Sequence, residues 1–90
     1  LENAQLNGVE IRADETPLSE VEGVYDLVVA NLFAEVIVAL SVDLKRVCSE
    51  RLIVAGILSD RAYLVIDALE PMQMVHRVVE GDWTHMEFIP

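Results

Sequence analysis

Ninety residues allow one domain at most, and a chain of that size buries only ~60% of its unfolded surface, so its core is thin. A hydrophobic fraction of 53% with few aromatics excludes intrinsic disorder. Six basic against sixteen acidic residues, a net charge of −10, make nucleic acid and anionic membrane poor partners, because phosphate binding depends on clustered Lys and Arg.

At the amino end, Leu1-Glu2-Asn3-Ala4-Gln5-Leu6 reads as the last turns of a helix, closed by Asn7-Gly8, since both residues tolerate the left-handed conformation of a helix end. With no cap ahead of it, this start reads as a cut through a larger domain. Residues 9–14 alternate apolar and polar, which predicts a strand with one wet face. Residues 15–24 contain Pro17, Ser19, Gly23 and several acids and predict a surface loop.

Residues 25–30 predict the next strand. Its four consecutive apolar residues, Leu27, Val28, Val29 and Ala30, suit a parallel strand covered on both faces, where alternation is not required. This strand carries Asn31 to its carboxyl end. Beyond it, Phe33, Ile37, Leu40, Leu44 and Val47 recur at three- and four-residue steps and predict a helix with one apolar seam. Val36, Val38 and Val42 widen that seam, which predicts a helix covered on more than one side. Residues 27–42 do not read as a membrane span: Asn31 and Glu35 interrupt the run, Asp26 and Asp43 flank it, and a spanning helix needs ~20 apolar residues with few or no charges.

Cys48 is the only cysteine, so no disulfide forms within the chain. It falls in the helical apolar pattern with no nearby His in sequence and reads as a buried small hydrophobe, not a nucleophile. Residues 51–58 form a second continuous apolar run, again a central parallel strand, and two such strands joined by a helix make a right-handed crossover. Ser59 is placed to cap the following helix, in which Ala62, Val65, Ile66 and Leu69 keep the helical pattern until Pro71 ends it. Residues 74–79 and 83–89 are both strand-like. The short Glu80-Gly81-Asp82 link between them predicts an antiparallel hairpin. The class is therefore α/β.

Ligands in open α/β sheets bind beyond the carboxyl ends of the strands, which makes Asn31 a candidate functional group. The competing role is an N-cap for the helix that follows, and position alone leaves both open. His76 and His85 sit on opposite arms of the hairpin, without metal-ligand spacing. Ser59 lacks the Gly-x-Ser-x-Gly elbow, no Gly-x-Gly-x-x-Gly or phosphate loop is present, and the carboxylates read as solvated charge. Trp83 reads as packing over the sheet. No catalytic residue and no metal ligand is assigned.

Several segments in order, Asn3-Ala4-x-x-Asn7-Gly8-Val9, Val28-Val29-Ala30-Asn31-Leu32, Gly56-Ile57-Leu58 and Gly81-Asp82-Trp83, resemble the carboxyl-terminal half of the bacterial methyltransferases that modify the large-subunit stalk-base ribosomal protein, L-eleven. The resemblance implies a partial Rossmann-like methyltransferase sheet, with parallel strands, crossover helices and a carboxyl-terminal antiparallel hairpin. Residues 1–90 would form a single partial domain. It implies S-adenosylmethionine as cofactor, a ribosomal protein as substrate reached through an absent amino-terminal domain, and a cytoplasmic location. Asn31 would lie beside the methionine portion of the cofactor and the acceptor nitrogen. Asp14, after the third strand of that fold, is where such proteins often contact the adenine edge.

The sequence departs from the family in ways that limit it. The glycine-rich loop and the acidic residue that supply most of the cofactor grip would precede Leu1. Cys48-Ser49-Glu50 replaces an expected Pro-Gly-Gly turn, Phe33 stands for Leu, and Ser59-Asp60 follows Gly56-Ile57-Leu58 where Gln is common. The chain alone is accordingly expected to be inactive and to bind the cofactor weakly or not at all. In the family fold two further strands lie between the strand of residues 9–14 and that of 25–31. Without them, either the first strand moves in to cover the apolar edge of the second or two chains associate there. The alternative function is a free-standing, non-catalytic α/β dimerisation or interaction module; a third reading is an unrelated small-molecule-binding domain in which Asn31 only caps.

Overall fold

The structure, a computed structural model, describes residues 8–11, 18 and 21–90. The predicted helix end at residues 1–6, Asn7 and Asp14 lie outside the described residues. The first described element is strand β1 (Gly8–Ile11), followed by β2 (Tyr25–Asn31), helix α1 (Ala34–Val47), β3 (Cys48–Leu58), a 3-10 turn (Ser59–Arg61), α2 (Ala62–Ala68), β4 (Gln73–Glu80) and β5 (Trp83–Ile89). Gly8 opens a strand instead of closing a helix.

The five strands form one sheet in the order β1-β2-β3-β5-β4. β1, β2 and β3 run parallel, with Val9 opposite Val28 and Val28 opposite Leu52. β1 thus pairs with residues 27–30 of β2, the first of the two outcomes expected from the sequence. Residues 27–30 of β2 are paired on both sides, by β1 and by β3. At the far end β5 turns back through Gly81 (φ 62) and inserts between β3 and β4, antiparallel to both. Glu80 pairs with Trp83, leaving a two-residue Gly81-Asp82 connection of the kind that needs positive φ.

The fully buried strand residues share one face: Val28 and Ala30 of β2, Leu52, Val54 and Ile57 of β3, and Thr84, Met86 and Phe88 of β5. The helices supply Ala34, Ile37, Leu44 and Val47 from α1 and Ala62 and Val65 from α2, packed against one another. The opposite face carries Leu27, Val29, Ile53 and Ala55, all only half-buried. The expectation that β2 is covered on both faces is therefore corrected: among the described residues both helices lie over one face. Continuous apolar sequence records where a strand can be covered, not what covers it.

α1 departs from expectation in the same way. Its buried seam is narrow, and Val38 and Val42 are 38% and 74% exposed. At ~100° per residue, positions 38 and 42 sit roughly 110° and 150° around the helix from the line through Ile37 and Leu44. Phe33, predicted to lead that seam, is the N-cap and is 66% exposed. Glu35 in the first turn and Lys45 and Arg46 in the last complement the helix dipole. Cys48 is buried as predicted, but as the first residue of β3, since the helix passes into the strand without a turn. α2 ends before Pro71, with Leu69 N–H donating to the Val65 carbonyl. Lys45 donates to the Glu70 carbonyl at 2.8 Å and ties the two helix ends together.

Candidate functional site

The carboxyl ends of β2 and β3 lie side by side and build the candidate site. Asn31 is the last residue of β2 and pairs with Ala55, and the next amide, Leu32 N–H, still donates to the Ala55 carbonyl at 3.2 Å. α1 then starts from Phe33, whose carbonyl accepts from both Val36 and Ile37 at 3.0 Å. No side chain caps α1. The capping role for Asn31 is thereby excluded. Its carboxamide is exposed and forms no hydrogen bond with a described residue.

What seats that carboxamide is the backbone of β3. Val54 pairs with Met86 and Ile57 with Thr84, so one extra residue of β3 bulges between them. Residues three apart in a regular strand face opposite ways; the bulge turns both Val54 and Ile57 inward. Gly56 occupies it at φ 79, and a Cβ added there would stand 2.5 Å from Asn31 Oδ1. The contact is therefore one that only glycine permits. A glycine inside an apolar strand pattern signals a bulge or a close approach, so this partner of Asn31 could have been found in the sequence.

The rest of the rim comes from β3 and the hairpin. Leu58 pairs with Trp83, and both are exposed, at 42% and 49%; the indole that was expected to pack over the sheet thus stands at the rim with half its surface free. Ser59, predicted as a cap, does not cap. Its hydroxyl instead pairs with that of Thr84 at 2.8 Å, and its N–H donates to the Asp82 carbonyl at 2.7 Å, which fixes the end of β3 to the hairpin turn. Leu58, Ser59, Asp60 and Asp82 line an open depression of about 410 Å³. An ion pair between Arg61 and Glu35 joins the 3-10 turn to the first turn of α1.

The remaining candidates are separated from this edge. His76 stands opposite Glu87 and His85 opposite Val78, so the two imidazoles do not face each other across the hairpin. Burial pushes the Cys48 thiol up, which suits packing and not nucleophilic attack. A second depression, about 380 Å³, lies nearer the amino ends of the strands among Asp26, Leu27, Glu50, Arg51 and Ile53, where Arg51 pairs with Glu87 at 2.9 Å. No described helix is long and apolar enough to cross a membrane.

An exposed neutral amide at the carboxyl edge of a parallel strand can donate to a carboxylate and accept from an amine without adding charge. Comparison with known proteins gives that arrangement a context. The family model described as ribosomal protein L11 methyltransferase (PrmA) matches residues 1–89. A ribosomal protein L11 methyltransferase of Geobacter sulfurreducens is 37% identical over 87 residues, and one of Caldicellulosiruptor bescii is 39% identical over 87. These alignments cover 92% and 91% of this chain, but the chain spans only 29% of the length of each relative. The crystal structure of a ribosomal protein L11 methylase from Lactobacillus delbrueckii subsp. bulgaricus superposes with a TM-score of 0.75 at 27% identity, over 79% of this chain and 39% of that one.

Proposed function

The chain belongs to the ribosomal protein L11 methyltransferase family, and from that we propose that it serves as the carboxyl-terminal half of the catalytic domain of an S-adenosylmethionine-dependent enzyme that methylates a ribosomal protein in the cytoplasm. The observation that carries the reading is the Asn31 carboxamide, left exposed at the carboxyl edge of β2 by a helix that starts without it. The free-standing interaction module is not favoured, because the family match spans nearly the whole chain.

The residues at this edge fit such a cofactor. Gly56 keeps the space beside Asn31 clear of a Cβ, and no acid or base is needed where transfer depends on in-line placement of donor and acceptor. The cofactor, when bound, supplies an activated methyl group. Asn31 would donate from its amide nitrogen to the carboxylate of the methionine portion and would accept from the N–H of the acceptor amine through Oδ1, and so would help to position that nitrogen. The exposed Phe33 ring, two residues on, supplies an apolar wall. The chain assayed by itself is expected to show no methyl transfer, because it spans only 29% of the length of each relative it matches.

The test is a chimera in which these ninety residues replace the matching region of the Geobacter sulfurreducens enzyme. Methyl transfer from labelled S-adenosylmethionine to a ribosomal-protein preparation is expected, and Asn31→Ala should lower it by about a hundredfold, the scale of a misplaced reacting group. Undiminished transfer by the variant would overturn the role of Asn31. In parallel, calorimetry on the chain alone should show no submillimolar binding of S-adenosylmethionine.

A further inference from the structure

β3 carries its bulge at the point where it runs beside the end of β2, with Ala55 and Gly56 opposite the single residue His85 between the Val54–Met86 and Ile57–Thr84 pairs. The core accounts for the bulge itself, because both Val54 and Ile57 are fully buried. It does not account for the bare Cα that faces Asn31. Two separate demands fall on Gly56: its positive φ, which it shares with Gly23 and Gly81, and the Asn31 side chain, with Oδ1 at 2.5 Å and Cγ at 3.7 Å from the place of an added Cβ. Around Gly23 and Gly81 nothing lies within 4 Å of that place, and Gly8 meets only Leu27 at ordinary distances. Of the four glycines, Gly56 alone is fitted to a polar side chain.

We propose that Gly56 is a positioning residue for Asn31. The bulge offers a surface without a Cβ on which the carboxamide rests, and this holds an exposed, otherwise unbonded side chain in one rotamer. An Asn without such a seat would populate several staggered rotamers and would lose that freedom again on each binding event. Preorganisation of this kind serves a group whose task is placement. The inference rests on Asn31 being the ligand-facing residue, but its own test does not require ligand.

In the unmodified chain, nuclear Overhauser contacts between the Gly56 Hα protons and the Asn31 side-chain amide protons are expected, together with Asn31 side-chain couplings of a single rotamer. Absence of the contacts, or rotamer-averaged couplings, would overturn the proposal without any variant having to fold. A double-mutant cycle supplies the second readout. Gly56→Ala should raise the unfolding constant more in the native background than in Asn31→Ala, by roughly three- to tenfold. Equal effects in both backgrounds would mean that Gly56 serves only its φ. Loss of the seat and loss of the ligand role are distinguishable: undiminished methyl transfer by the Asn31→Ala chimera leaves the contacts intact, whereas missing contacts leave the effect of Asn31→Ala on transfer intact.

Discussion

Asn31 Oδ1 fills the space that a Cβ on Gly56 would need, 2.5 Å from its position, so the end of β2 and the bulge of β3 are packed as one unit. This makes Gly56 unlike the chain's other glycines of positive φ. Gly81→Ala, in the hairpin turn with open space around it, should cost only the left-handed penalty of about 1–2 kcal/mol. Gly56→Ala pays that and must also displace a packed side chain, roughly 2–4 kcal/mol in all. Urea denaturation at unchanged m-value gives the comparison. A Gly56→Ala cost no larger than that of Gly81→Ala would mean the contact with Asn31 is not tight.

The hydroxyl pair that fixes β3 to the hairpin leads to an asymmetric prediction. Thr84 is 1% exposed and Ser59 only part-buried. Ser59→Ala leaves the Thr84 hydroxyl buried without its partner, at a cost of about 1–3 kcal/mol. Thr84→Val removes the buried hydroxyl and leaves Ser59 within reach of water, so it should cost less, under about 1 kcal/mol. Stability measurements on the two single variants decide it. A larger loss in Thr84→Val would show that the Ser59 hydroxyl depends on Thr84 and not on solvent.

Which parts of this were legible in the sequence follows from what each signal measures. β2, β3, α1, α2 and the hairpin were all readable, because periodicity, Pro71 and the Gly81-Asp82 link report local chain geometry. The covering of β2 by β1 was one of the two outcomes left open by the rule that an apolar edge does not stay bare. The sidedness of the sheet was not readable: Leu27, Val28, Val29 and Ala30 are equally apolar, yet Val28 and Ala30 are fully buried while Leu27 and Val29 are not. Ser59 carries the residue type of a cap but bonds to a side chain 25 positions away, which no local pattern encodes. At the candidate site, Asn31 at its strand end was compatible with a cap or with a ligand-facing group, and the structure removes the cap. Its seat on Gly56 depends on the register between β2 and β3, and the glycine was the only mark of it.

The sidedness can be tested by isosteric exchange at neighbouring positions of β2. Val28→Thr buries a hydroxyl on the helix-covered face, where no water reaches it, and should cost about 1–3 kcal/mol. Val29→Thr places the same group on the half-buried face and should stay within about 1 kcal/mol of the native chain. Thermal or urea unfolding of the pair checks this. Equal costs would mean that the second face is covered in solution, by a second copy or by residues outside those described.

Cys48 gives a pH dependence whose sign can be worked out in full. Burial pushes its thiol above the ordinary 9.0, while hydrogen bonds from the backbones of Glu50 and Arg51 pull it the other way to a lesser extent. The folded chain therefore keeps this proton to higher pH than the unfolded chain does. Between the two values the folded state binds more protons, so stability falls as pH rises. Below about pH 8 both states are protonated, since an unperturbed thiol titrates near 8.5–9, and the contribution is complete; it is lost as pH climbs through the raised folded value. The Cys48→Ala variant should show a shallower alkaline decline than the native chain. Iodoacetamide near pH 8 should modify the folded chain more slowly than the urea-unfolded one, because the thiolate is the reactive form and the side chain is 6% exposed. Equal alkylation rates would place the thiol at the surface and remove the cause of its shift.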